Sequence, residues 1–105
     1  MKFVAVTACQ AGVAHTYMAA EALEKAGRER GIQVKVETQG SIGIEHVLTE
    51  EDIAEADAVI LTNDMPIRNE ERFAGKKIVR ISVGDAVKKA PAIVKKLESM
   101  LSQKG

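Results

Sequence analysis

Hydrophobic positions along this chain repeat with two periods, and the periods alternate. Phe3-Val4-Ala5-Val6 is a continuous apolar run, as in a strand covered on both faces. Val34, Val36 and Thr38 alternate with polar residues, which predicts a second strand over Gln33–Thr38. The β-branched stretches Asp57–Thr62 and Lys77–Val83 predict a third and a fourth. Between the strands the period lengthens. In Thr16–Arg30, Met18, Ala19, Ala22, Leu23 and Ala26 form one helical stripe, with Glu21→Lys25 and Glu24→Arg28 as i,i+4 pairs opposite. Gly31 suits the left-handed residue that stops this helix. Thr49-Glu50-Glu51-Asp52 reads as a capping box opening a short helix through Ala56. A C-terminal helix places Ile93, Val94, Leu97, Met100 and Leu101 on one face, with Pro91 in its first turn. Thr62–Lys77 is mostly loop, with one helical turn around Glu70–Phe73.

Strands alternating with helices predict an α/β fold: a single domain over residues 1–105 with an open four-stranded parallel sheet, order 2-1-3-4. Helices cover both faces and the crossovers are right-handed. Composition changes this picture little. The 105 residues suffice for one core, and the formal net charge of zero offers no basic excess for nucleic acid. The apolar runs fall far short of the ~20 residues of a membrane helix, and Met1–Ala8 is too short for a secretory signal. One cysteine makes no internal disulfide, so a reducing cytoplasm is the expected setting. Two histidines and one cysteine without recurring spacing predict no metal site, and nothing calls for a cofactor.

That one cysteine, Cys9, stands where the first strand turns into the first helix. In an open parallel sheet this is the carboxyl edge, where ligands bind at the switch in strand order. Gly12 permits a tight turn or close backbone approach, and the N–H groups opening the helix point toward the loop. A thiolate and a phosphate are both anions that seek such donors. A buried, inert cysteine is the alternative that fits lone cysteines in general. The strand-loop-helix placement favours phosphate chemistry on sulfur. Cys9, His15 and Thr16 spell C-x5-H-T, whereas cysteine phosphatases use C-x5-R-[ST]. There the arginine grips two phosphate oxygens in a fork that imidazole cannot reproduce. Without it the transition state for hydrolysis lacks its strongest partner, which favours a phosphoryl carrier over a phosphatase. The absence of a second cysteine counts against a thiol reductase.

The segments VAVTAC-x-x-GVAHTYMAAEALEKA, VKVETQGSIGIE, LTEEDI, ADAVIL and ERFAGK together resemble the IIB component of the bacterial sugar phosphotransferase system, in its fructose and fructose-like branch. The resemblance covers nearly the whole chain. It implies a four-stranded parallel sheet and a phosphocysteine at Cys9, charged by a phosphohistidine of the IIA component. The group then passes to a sugar, fructose or a fructose-like hexose, entering through the membrane-embedded IIC permease. It implies a cytoplasmic protein associating peripherally with that permease. The family usually has proline after the cysteine; this chain reads Gln10-Ala11, which frees φ and adds an N–H donor. A non-catalytic regulatory paralogue is the remaining alternative.

On this reading the phosphate-binding loop comprises Gln10, Ala11, Gly12, Val13, Ala14, His15 and Thr16, with the N–H groups of Gln10 to His15 as a cradle. Thr7 and Thr16 either donate to the anion or bond locally. His15 either steadies the anion as imidazolium or is simply ordered in the first turn. His46 is expected at the surface, and Met18 and Met100 in the core. Glu37–Gly43 would shape the rim as a βα loop, and Asp64 without a loop arginine is a poor general acid. Partners are expected on Gln10–His15, Gln39–Gly43 and Asn63–Asn69, with Arg68 tuning association.

Overall fold

The continuous apolar run becomes the middle of the sheet. In the computed structural model, which describes residues 1–9, 13–40 and 43–102, strand β1 (Lys2–Ala8) is buried from Phe3 onward. Strand β2 (Gln33–Gly40) pairs with it in parallel from Lys2↔Gln33 to Ala8↔Gln39. A short strand β3 (Gly43–Glu45) lies antiparallel on the outer edge of β2. On the other side β4 (Ala58–Thr62) pairs in parallel with β1, and β5 (Ile78–Ile81) in parallel with β4. The order is β3-β2-β1-β4-β5.

The four parallel strands thus follow the expected order, with a fifth strand added. Glu37–Gly40 prolongs β2, and the chain returns along it at Gly43, where φ is +122°. The rim segment is therefore a strand return rather than a βα loop. Three residues without alternating apolar side chains give no periodic signal, which is why β3 was not foreseen.

Side chains of β1 point alternately to two cores. Phe3 and Ala5, with Cys9, pack under helices α1 (Val13–Glu29) and α3 (Val83–Ser102). Val4, Val6 and Ala8 pack with Leu48, Ile67, Phe73 and Ile53, the last on helix α2 (Glu50–Glu55). The Thr49–Asp52 capping box opens α2, Glu70–Phe73 is one 3₁₀ turn, and Gly31 takes φ +70° after α1.

Three boundaries differ from the sequence reading. The first helix begins at Val13 rather than Thr16. The last strand stops at Ile81, because Ser82 Oγ accepts from Asp85 N–H (3.0 Å) and turns Val83 into the start of α3. That helix breaks at Lys89 (φ −123°), so Pro91 opens its second half: proline lacks an N–H and crowds the preceding turn. Met18 is 52% exposed. The buried stripe of α1 runs through Thr16, Ala19, Leu23 and Ala26, and Met18 falls beside it.

Candidate functional site

The carboxyl end of β1 is fixed from two directions. Thr62, at the end of β4, places its hydroxyl against Ala8: it accepts from Ala8 N–H at 2.9 Å and donates to Ala8 C=O at 3.3 Å. Thr7 Oγ1 donates to the Thr16 carbonyl at 3.2 Å, joining the strand to the first turn of α1. Cys9 follows directly and is 8% exposed. Thr16 is buried, while Ala14 and His15 face outward in that first turn. The opening N–H groups of a 17-residue helix have no intrahelical acceptor and carry its positive dipole end. Gln10, Ala11 and Gly12 lie outside the described residues, as does Ser41.

Across the sheet edge, β2 and the segment after β4 are joined by a two-part clasp. The carboxamide of Gln39 meets the backbone of Arg68 twice: Oε1 accepts from Arg68 N–H (2.9 Å) and Nε2 donates to Arg68 C=O (3.2 Å). Two residues back, Glu37 is 1% exposed and accepts from Arg72 Nη1 (2.8 Å), Arg72 Nη2 (2.6 Å), Leu48 N–H (2.9 Å) and Gln39 Nε2 (2.9 Å). Burial pushes this carboxyl's pKa up, but the donors from Arg72, Gln39 and Leu48 outweigh it and hold it below the usual range. Since Gln39 pairs with Ala8 in the sheet register, the clasp lies beside the residue that precedes Cys9.

Asp64 is committed elsewhere, its Oδ1 accepting from Val83 N–H (2.7 Å) at the start of α3. Tyr17 Oη donates to Glu45 Oε1, linking α1 to β3, and His46 is exposed with φ +56°. Among the described residues no group of three or more His, Cys, Asp and Glu could hold a metal. No helix among them is long and apolar enough to cross a membrane.

The family described as "PTS system, Lactose/Cellobiose specific IIB subunit" matches residues 4–96. The chain belongs to the phosphotransferase-system IIB family. Within it, the "PTS system fructose-like EIIB component 2" of Escherichia coli (strain K12) is 65% identical over 102 residues, covering 97% of this chain and 96% of that protein. The solution structure of an Enzyme IIB subunit from Escherichia coli K12 superposes with a TM-score of 0.93 at 44% identity, covering 98% of this chain and 95% of that one. A domain of the fructose-specific IIABC component of Borrelia burgdorferi gives a TM-score of 0.85 at 49% identity, over 90% of each chain. The family description names lactose and cellobiose, whereas these relatives are fructose-like or fructose-specific. Near-complete coverage at 65% identity is the finer of the two comparisons, so this IIB is of the fructose-like kind.

In this IIB the structure brings Cys9, Thr7 and Thr16 together at one strand–helix junction, with Thr7 bonding locally. Sequence reasoning missed Thr62, and it missed the joint role of Glu37, Gln39 and Arg72. Glu37 and Gln39 left one trace: charged and amide side chains at alternate positions of a strand that begins with Val34 and Val36 on its other face. Their partners lie 29 and 35 residues away, beyond any local period.

Proposed function

We propose that this IIB subunit carries a phosphoryl group on Cys9, residues 1–105 acting as one IIB domain. The Cys9 thiolate attacks the phosphorus of a phosphohistidine on the IIA component. The P–S bond forms as the P–N bond breaks, and the electron pair returns to the imidazole nitrogen. A sugar hydroxyl on the IIC side then attacks the same phosphorus; the P–S bond breaks, the thiolate leaves, and the hydroxyl proton passes to water or a base. The fructose-like names of the relatives support fructose or a similar hexose as the acceptor. The work belongs in the cytoplasm, against the inner face of a membrane permease.

The observation that carries this reading is the position of Cys9 between the pinned end of β1 and the first turn of α1. Orphan N–H groups and a helix dipole stabilise a thiolate and a thiophosphate alike. Catalysis of such in-line transfer is mostly positioning and charge stabilisation, which this junction supplies. His15 at the sixth position after the cysteine, and an Asp64 already occupied, both disfavour hydrolysis.

The test is reconstitution: phosphoenolpyruvate, the general phosphotransferase proteins, a fructose-like IIA, permease vesicles and this chain. Sugar phosphate should form with fructose-like hexoses and vanish with Cys9→Ser. Formation by the Cys9→Ser variant would refute the reading. Aryl phosphate turnover near the ~1–10³ s⁻¹ typical of enzymes would favour a phosphatase instead.

A further inference from the structure

We propose that Arg68 is a catalytic residue of this transfer, its guanidinium contacting the phosphoryl group as it moves to and from Cys9. The inference rests on the phosphoryl-carrier reading above and supplies a cation that the cysteine loop lacks.

A phosphoryl group in flight spreads charge over three oxygens, and a fixed cation beside it stabilises that state. Residue 15, the position that an arginine holds in C-x5-R sequences, is an exposed histidine here. A cation must come from another segment.

The clasp presents one. Gln39 grips both the N–H and the C=O of Arg68, and Gln39 is the sheet partner of Ala8, one residue before Cys9. Neighbouring strands lie about 4.8 Å apart, so Arg68 is suspended from the strand next to the cysteine's own. Ile67 on one side is buried in the core, and Arg72 four residues on is tied to Glu37. The backbone at residue 68 is thereby held at three points, while its side chain is exposed. Among the described residues, Arg30, Arg72 and Arg80 each pair with a glutamate (Glu98, Glu37 and Glu70), whereas the Arg68 guanidinium, like that of Arg28 on α1, has no such partner. Holding the loop requires only the backbone of residue 68. Arg68 and Cys9 share the carboxyl edge of the sheet, with the clasp on the face of Ala8 and Cys9 packed toward α1. A long, uncommitted guanidinium on a fixed backbone is what can reach over that edge as a transition-state clamp. Because the side chain is exposed, it meets the phosphoryl group in a dry setting only when a partner has docked. This is compatible with slow hydrolysis in the resting protein.

The experiment is single-turnover transfer from phosphorylated IIA to the full chain, measured by rapid quench at saturating and subsaturating IIA. Arg68→Gln should lower the saturated transfer rate about 10²-fold, the loss typical of one transition-state donor, with little change in half-saturation. Arg68→Lys should recover part of the rate, since it restores charge without the fork. Gln39→Ala, which slackens the support, should fall between. An Arg68→Gln chain that keeps the saturated rate, and changes only the half-saturation and its salt dependence, would show that Arg68 merely steers the partner and would overturn the proposal. If the wild-type chain takes no phosphoryl group on Cys9, the carrier reading itself fails; a labelled wild type with an equally fast Arg68→Gln overturns this inference alone.

Discussion

Arg72 faces Glu37 in a two-point ion pair, Nη1 to Oε1 at 2.8 Å and Nη2 to Oε2 at 2.6 Å, with the carboxylate almost wholly out of solvent. The guanidinium also lies 4.7 Å over the Phe73 ring. Every charge in this group is compensated, so its worth shows when one partner is removed. Arg72→Met leaves a buried carboxylate without its cation and should cost about 3–5 kcal/mol in urea unfolding. The double variant Glu37→Gln, Arg72→Met should lose less than the two single losses added. Additive losses would show that the pair is not energetically coupled.

Acid should weaken the fold through the same carboxylate. Glu37 is held below its ordinary pKa, so the unfolded chain takes up its proton at higher pH than the folded one. Asp52 behaves alike: Lys35 and the Thr49 N–H lower it against opposing burial. Stability from both groups is complete above the ordinary carboxylate range near about 4 and is lost as pH falls through the folded values. Unfolding free energy measured from pH 7 to pH 3 should decline at the acid end, and Asp52→Asn should flatten that decline. A slope unchanged by the substitution would contradict the assignment.

Gly27 sits inside α1, where alanine ordinarily gains about 1 kcal/mol. Here an added Cβ would collide with Val34 Cγ2 and stand 2.8 Å from the Ile32 carbonyl oxygen. One of those obstacles is backbone, and overpacking of this kind costs about 1–3 kcal/mol or more. Gly27→Ala should therefore lower the unfolding midpoint. A rise would show that β2 shifts freely under α1.

Asp64→Asn separates a cap from an acid. The carboxylate accepts from Val83 N–H, and an amide oxygen can accept the same bond. The change should therefore cost well under the about 0.5–2 kcal/mol of a lost cap, while phosphorylation by IIA stays at the parent rate. A loss of transfer with stability intact would return Asp64 to the chemistry.

Local signals in the sequence were sufficient for the parallel strands, the Thr49 capping box and the Gly31 stop, because each depends on neighbours within one or two turns. The placement of Cys9 between β1 and α1 was legible for the same reason: a strand end, a glycine and a helix start are adjacent in the chain. The short β3 carried no period, and Val83 looked like a strand residue until Ser82 capped the helix behind it. The Glu37–Arg72 and Gln39–Arg68 pairs were invisible because they join segments brought together only by the crossover through β4. Single arginines in a polar loop look alike in sequence; the structure shows Arg72 bound to Glu37 and Arg68 exposed.

On the proposed function the phosphoryl group resides on the Cys9 sulfur. Intact-protein and peptide mass spectrometry after incubation with phosphoenolpyruvate, the general phosphotransferase proteins and a fructose-like IIA tests it most directly. One phosphoryl group per chain, on the peptide containing Cys9 and absent from Cys9→Ser, is the predicted result. Phosphate on His15, or a Cys9→Ser chain that still takes label, would contradict it.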